Sequence, residues 1–196
     1  MFALNGEPLS IVNYQLSIDK LAGTDEAGRG PLAGPVFAAA VILTAPIAGL
    51  DDSKKLTAKR RELLYSTIVE NAAAYAIASV SAAEVDEINI LQASQLAMNR
   101  AIEALPIVPE FVLVDGNYTK SINYPCAAIV GGDGIYQCIA AASILAKVAR
   151  DRYMTELALT YPQYAFEKHK GYGTKVHYER LREYGASPEH RKTFLH

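Results

Sequence analysis

The chain lacks several features that would each place a protein in a particular class. No apolar run approaches the about 18 residues that a bilayer-crossing helix needs. The first twenty residues hold no basic stretch followed by an apolar block, so no secretory leader is expected and the cytoplasm is the expected compartment. Cysteine is scarce: Cys126 and Cys138 are the only two, twelve apart and without C-x-x-C spacing. That argues against a disulfide framework or a zinc site, fits a reducing environment, and leaves both as core thiols. There is no internal repeat and no low-complexity tract. An excess of charge is missing too, since 19 basic against 21 acidic side chains give a net −2, which by itself says nothing for a polyanionic partner.

What the chain does have is enough apolar residues, 51% of 196, for one well-buried core. We expect a single domain over 1–196, with a core over about 18–160 and a C-terminal helical segment over about 161–196. Charge is unevenly spread. From Lys147 onward there are ten Lys and Arg against six Asp and Glu, whereas residues 1–146 carry nine against fifteen. All four histidines, His169, His177, His190 and His196, lie in that late part. An acidic body with a basic tail suits a metal centre beside a polyanion-binding surface, and it equally suits solvated helix faces.

The chain is organised around Gly23 to Val36, GTDEAGRGPLAGPV. Asp25 and Glu26 follow a short apolar run and lead into Gly28-Arg29-Gly30-Pro31, a turn through which no regular strand or helix continues. Neighbouring strand side chains point to opposite faces, so these two acids can share a site only if the strand ends between or just after them. Arg29 between two glycines would let bare amides and a guanidinium approach a phosphate or sugar oxygen closely. An isolated Asp-Glu before Gly-x-Gly is also what a solvated strand-end turn looks like.

The remaining pattern alternates strands with helices. Leu21–Thr24 and Val36–Leu43 read as strands joined by a hairpin, with Ala76–Val80, Phe111–Val114 and Ala127–Val130 as further strands. Thr57 is placed to cap a helix carrying Leu63, Leu64 and Ile68 on its inner side. Ser81-Ala82-Ala83-Glu84 matches a capping box that opens a helical region ending before Pro106. A long helix from about Tyr136 carries Ile139, Ala142, Ala146, Ala149, Tyr153 and Leu157 on one stripe, and Thr174 caps a last helix that stops at Gly185. The expectation is an α/β layered domain with a mixed sheet.

Three of the apolar strands run into acid: LAGT into Asp25 and Glu26, FVLV into Asp115, and AAIVGG into Asp133. In α/β sheets ligands bind at the carboxyl ends of strands, so these ends can gather four carboxylates. Carboxylates so gathered raise one another's pKa and oppose folding unless a cation sits among them. Mg²⁺ or Mn²⁺ are the natural guests for an all-oxygen set, and a pair of such ions bridged by carboxylates is a known solution to phosphodiester hydrolysis. Singly, Asp115 and Asp133 also read as turn residues beside glycine.

The segments GTDEAGRGPLAGPVFAAAVIL, DDSKKLTAKRREL, INILQASQLAMNRAI, VLVDG, GGDG with IAAASILAKVARDR, and HKGYGTKVHYERLREYG with SPEHRKTF resemble bacterial ribonuclease HII, the type 2 ribonuclease H, in that family's order. The resemblance implies an RNase H-like fold and endonucleolytic hydrolysis of RNA in RNA–DNA hybrids, including single ribonucleotides embedded in duplex DNA. Matched position by position, it makes Asp25, Glu26, Asp115 and Asp133 the catalytic, metal-binding carboxylates. Gly28, Arg29 and Gly30 match the loop that recognises the ribonucleotide and its 2′-hydroxyl, the group that tells RNA from DNA, and Tyr172 matches the tyrosine that packs on the sugar. Ser53, Lys54, Lys55, Ser143 and Lys147 are candidate phosphate contacts, and Asn89 is a candidate contact or else a helix cap. The histidines read as loop or helix-end residues, with His169 beside Lys170 within reach of a phosphate.

The chain departs from the family pattern after Asp133, where Gly134-Ile135-Tyr136 stands in place of a small residue, lysine and serine. A lost phosphate contact follows from that, not a lost metal ligand. Three alternatives remain beside the hydrolase. One is ribonuclease HIII, whose additional N-terminal domain the about twenty residues before Leu21 would not accommodate. The others are a hybrid-binding module of the same fold without turnover, and a phosphate-binding regulatory protein using Gly28 to Gly30 alone. A monomer is expected.

Overall fold

The architecture is set by β3 (Leu21–Ala27), the middle strand of a five-stranded sheet in the order β5-β4-β3-β6-β7. The structure, a computed structural model, describes residues 2–4, 7–9, 18–51 and 53–195, so Asp52 and His196 of the sequence reading lie outside it. At the chain start β1 (Phe2–Leu4) pairs antiparallel with β2 (Glu7–Leu9). On one side of β3 run β4 (Val36–Ile42) and β5 (Ala74–Val80), each antiparallel to its neighbour. On the other side β6 (Phe111–Asp115) and β7 (Cys126–Ile129) run parallel to it. The sheet is therefore mixed, as expected from the hairpin followed by crossovers.

β4 reads as a continuous apolar run because both its faces are covered. Val36, Ala38, Ala40 and Ile42 pack against Ala97, Met98, Ala101 and Ile102 of α2 (Ala82–Glu103). Ala39 and Val41 pack on the opposite face against Leu64 and Ile68 of α1 (Ala58–Asn71) and Ile144 and Leu145 of α3 (Gln137–Thr160). α3 lies directly on β3. A Cβ on Gly23 would overlap the backbone of Cys138 and stand 2.5 Å from the Ile139 nitrogen, so residue 23 admits only glycine if the helix is to keep its depth. After α3 come the short α4 (Phe166–His169) and α5 (Lys175–Tyr184).

The caps are where the sequence places them. The Thr57 hydroxyl accepts from the Arg60 amide, Ser81 and Glu84 close a capping box, and Thr174 accepts from the His177 amide. Other expectations need correction. β3 runs three residues further than Thr24, because β4 keeps pairing with it as far as Ala27. Leu63 is 57% exposed, since the sheet takes only the narrow α1 stripe of Leu64 and Ile68. α2 is kinked at Asn89, which has φ 66°. In the second half of α3 the buried stripe is Arg150, Met154 and Ala158, one position on from the expected Ala149, Tyr153 and Leu157, because Ala33 and the 164–166 segment pack there. Among the described residues no helix is long and apolar enough to cross a membrane.

The C-terminal part has its own small core, in which Tyr164 stacks on Phe166 and three histidines pack around them. Their protons are fixed by backbone groups. The Ser187 N–H donates to His190 Nδ1 (2.9 Å), so His190 carries its proton on Nε2 and donates it to His177 Nε2 (3.0 Å). His177 must then hold its own proton on Nδ1, which donates to the Tyr172 carbonyl (2.9 Å). A second proton on either ring would set two N–H groups head to head. Burial, with repulsion from His177, accordingly lowers the pKa of His190 to about 4.

An unfolded histidine takes up its proton near pH 6.5 and the folded His190 only near 4, so acid favours the unfolded chain between those values. The melting temperature should fall as pH drops through that window, and His190→Gln should make the fall shallower. An unchanged slope in the variant would remove His190 from the account.

Candidate active site

Parallel pairing between β3 and β6 stops at Thr24 opposite Val114, and the next residue on each strand is an acid, Asp25 and Asp115. Both follow the alternation of Gly23 and Leu113, which puts them on the face that α3 covers. α3 then supplies Ser143, whose hydroxyl bonds to Asp25 and lies 2.8 Å from the Ser53 hydroxyl. The Glu26 N–H donates to Asp25 Oδ1 at 2.7 Å. Glu26 is one residue from the strand's end at Ala27, which lets two neighbouring acids serve one site. The Gly132 N–H donates to Asp115 Oδ1 (2.7 Å), tying the end of β6 to the single 3-10 turn Gly132–Gly134 that carries the buried Asp133. The three strand ends thus converge.

Charge is concentrated here. Asp25 is 6% exposed, and its pKa is pushed well above the usual carboxylate range by burial and then by Glu26 and Asp115; the Ser143 hydroxyl and the Glu26 amide oppose the rise. Glu26 is also raised, by burial first, while Arg29 (Nη1 to Oε1, 3.4 Å) works against the rise. No cation is among the main influences on Asp25. Among the described residues no group of three or more His, Cys, Asp or Glu side chains is already arranged to hold a metal ion. Asp115 is turned to the Gly132 amide and Glu26 to Arg29. The donor chemistry nevertheless fits a hard divalent cation: four carboxylates, no soft ligand, and a most buried member whose ionised form burial and acidic neighbours disfavour.

The glycine loop closes one side. Gly28 has φ 102°, and a Cβ there would overlap the Arg150 side chain. A Cβ on Gly30 would lie 3.7 Å from the Tyr172 ring, so Arg29, Gly30 and Tyr172 form one surface beside the buried Gly28, with the tyrosine 45% exposed. The other candidates are scattered. Ser53 and Ser143 are buried beside Asp25. Lys54 and Lys55 are exposed, with Lys55 bonded to Asp51 (3.3 Å). Lys147 pairs with Asp151 on α3 (2.7 Å). Asn89 lies on α2, across the sheet, where its Oδ1 accepts from the Leu91 and Gln92 amides and caps the second half of the kinked helix. The departing triplet after Asp133 forms the turn into α3, with Ile135 64% exposed.

The sequence reading missed Arg150 and Arg191, counted there among a basic tail but in fact 1% and 0% exposed. The signal available was indirect: two glycine-rich loops leave backbone carbonyls that need donors from outside any ladder.

Residues 22–196 match the family model described as Ribonuclease HII. The ribonuclease HII of Shewanella pealeana is 54% identical over 182 residues, covering 92% of this chain and 90% of that protein. That of Idiomarina loihiensis is 58% identical over 176 residues, covering 89% and 94%. Among solved structures, the RNase HII of Archaeoglobus fulgidus, determined in complex with PCNA, superposes with a TM-score of 0.77 at 26% identity, covering 90% of this chain and 96% of that one.

The electrostatics make a prediction about stability. Asp25→Asn keeps the shape and removes a charge held against Glu26 and Asp115. A carboxyl with a raised folded pKa costs stability once pH exceeds its unfolded value near 3.8, so in EDTA at neutral pH the variant should melt above wild type and lose that advantage in acid. A neutral-pH melting point at or below wild type contradicts the repulsion.

Proposed function

The chain belongs to the ribonuclease HII family, and from that premise we propose that the carboxylates at the ends of β3, β6 and β7 are its catalytic centre and that Gly28 to Gly30 with Tyr172 read the ribonucleotide. As a member of that family it is an endoribonuclease: it hydrolyses the RNA strand of RNA–DNA hybrids and cuts on the 5′ side of single ribonucleotides in duplex DNA, leaving a 3′-hydroxyl and a 5′-phosphate. The observation that supports the site assignment is the meeting of Asp25, Glu26 and Asp115 at adjoining strand ends, with the turn that carries Asp133 tied to Asp115 through the Gly132 amide. The binding-only module is not favoured, since every one of these acids is present. The family model matched is that of HII, not HIII.

Asp25, Glu26, Asp115 and Asp133 would hold Mg²⁺ or Mn²⁺, two ions during turnover. When bound, they supply neutralisation of the phosphate's developing charge and an acidified water at neutral pH. The protein's own contribution is placement. Ser143 and the Glu26 amide hold Asp25 in one orientation, and the Gly132 amide does the same for Asp115. Gly30, exposed and without a side chain, would open its backbone to the sugar, whose 2′-hydroxyl is both donor and acceptor, while the buried Gly28 shapes the turn. Tyr172 offers its ring face to the sugar at the RNA-to-DNA junction. Lys54, Lys55 and Lys147 would meet backbone phosphates, Ser53 would act through Ser143, and Asn89 would contact nucleic acid from α2. RNA–DNA hybrid and ribonucleotide-containing duplex are the nucleic-acid partners, and we place the enzyme in the cytoplasm as a monomer.

A labelled DNA duplex with one ribonucleotide should be cut 5′ to that nucleotide with Mn²⁺ or Mg²⁺, and neither with EDTA nor when the duplex is all DNA. Asp25→Asn should reduce cleavage about a thousandfold or more, the scale set by removing one principal electrostatic group from a catalytic centre. Full metal-dependent cleavage by the variant would overturn the carboxylate assignment.

A further inference from the structure

The loop from Gly28 to Gly34 forms almost no ladder of its own, and four of its carbonyls are taken up by one side chain from the other end of the chain. Arg191 donates through Nη2 to the carbonyls of Gly28 (2.6 Å) and Gly34 (2.8 Å). Through Nη1 it donates to those of Arg29 (3.0 Å) and Pro31 (2.9 Å), and through Nε again to Gly34 (3.0 Å). A guanidinium has five N–H donors in a fixed fork, and all five are spent on this loop. Among the described residues Arg191 forms no salt bridge, and it is fully buried, so it is not available to a phosphate.

The residues around Arg191 are themselves anchored. Its amide donates to the Leu32 carbonyl (2.8 Å), and the Gly34 amide donates to the Glu189 carbonyl (2.8 Å). On the outer side, the Asp86 carboxylate on α2 accepts from the Lys192 and Thr193 amides (2.8 and 3.0 Å) and from the Thr193 hydroxyl (2.6 Å). The preceding residue, His190, reaches through His177 to the Tyr172 carbonyl. Two consecutive residues therefore hold both walls of the ribose-reading surface, His190 the tyrosine wall and Arg191 the glycine wall.

We propose that Arg191 is a positioning residue for ribonucleotide recognition, fixing the Gly28–Gly30 backbone at the distance from Tyr172 that a ribose requires. The inference rests on the reading that Gly28 to Gly30 contact the ribonucleotide. It deepens that reading by naming the side chain that binds four of the loop's carbonyls, Gly28, Arg29, Pro31 and Gly34. A lysine keeps the charge but has no planar fork with which to reach four carbonyls.

The test compares Arg191→Lys, Asp86→Ala and a core control, Ile102→Ala, which is buried on the far side of the sheet. For each, kcat/KM on the one-ribonucleotide duplex is measured per folded molecule beside the melting temperature and the Kd for an all-DNA duplex. Arg191→Lys should lose about a hundredfold in kcat/KM, the scale of a misplacement of about 1 Å, with all-DNA binding held within about twofold. Asp86→Ala, a partly exposed change that leaves the arginine in place, should lose about three- to tenfold by loosening its anchor, and it decides the matter if Arg191→Lys does not fold. Ile102→Ala should lower the melting temperature and leave kcat/KM unchanged. Cleavage by Arg191→Lys, or by Asp86→Ala in its place, that stays at the wild-type rate or simply tracks melting temperature as the control does overturns the proposal. An Arg29→Ala arm separates the two failures. If it too cleaves normally, the reading of the glycine loop falls along with the proposal; if it is impaired while Arg191→Lys is not, only the positioning role falls.

Discussion

The contact on which the rest of the molecule depends is that of α3 on β3 at Gly23. A helix can lie that close to a strand only where the strand residue has no side chain, and the near-continuous alanines at the start of α3 continue the same close approach. Two consequences follow from this one depth. At the N-terminal half of the helix, Ser143 meets Asp25 as the strand leaves its parallel partner. Further along, Arg150 passes beneath Gly28, and its guanidinium bonds the carbonyls of Ala33, Pro35 and Lys170. A larger residue at position 23 would shift the helix and disturb both.

The proposed catalytic centre is an electrostatic liability in the folded protein. Asp25 is buried against two other acids, and only the Ser143 hydroxyl and the Glu26 amide offset the repulsion. The surrounding bonds orient more than they neutralise: a hydroxyl and an amide on Asp25, an amide on Asp115, and a long, partly exposed pair between Glu26 and Arg29. A centre meant to receive a divalent ion is expected to have this character, because a stronger internal counter-ion would compete with the metal.

The C-terminal segment does a different kind of work. Its excess of positive charge suggests a surface for nucleic acid, yet Arg191 is fully buried and several of the others pair with nearby acids, as Arg180 does with Glu183 and Lys175 with Glu179. The three buried histidines are neutral by geometry, each ring nitrogen having a hydrogen-bond partner within the protein. The result is a small polar core that joins the 169–172 loop, α5 and residues 187–191 to the glycine loop, so the two walls of the proposed recognition surface are tied to one set of hydrogen bonds.

Much of this was legible in the order of residues. Apolar runs ending in acid predicted strands that deliver carboxylates, and Thr57, Ser81 and Thr174 predicted the helix starts, because a strand's periodicity and a helix's orphan amides are local matters. Fold class, the four acids and the glycine turn were therefore determined by sequence alone. What only the tertiary structure decided was partnership over long separations. Arg191 meets Gly28 across 163 positions and Arg150 meets Ala33 across 117, and nothing local distinguishes a buried arginine that serves carbonyls from one that faces water. The same holds for the shift of the α3 stripe, for exposed Leu63, and for Asn89, whose role as a cap follows from a kink no periodicity announces. Local chemistry fixes what each segment can become; which distant donor fills its unmet hydrogen bonds is settled only when the chain closes on itself.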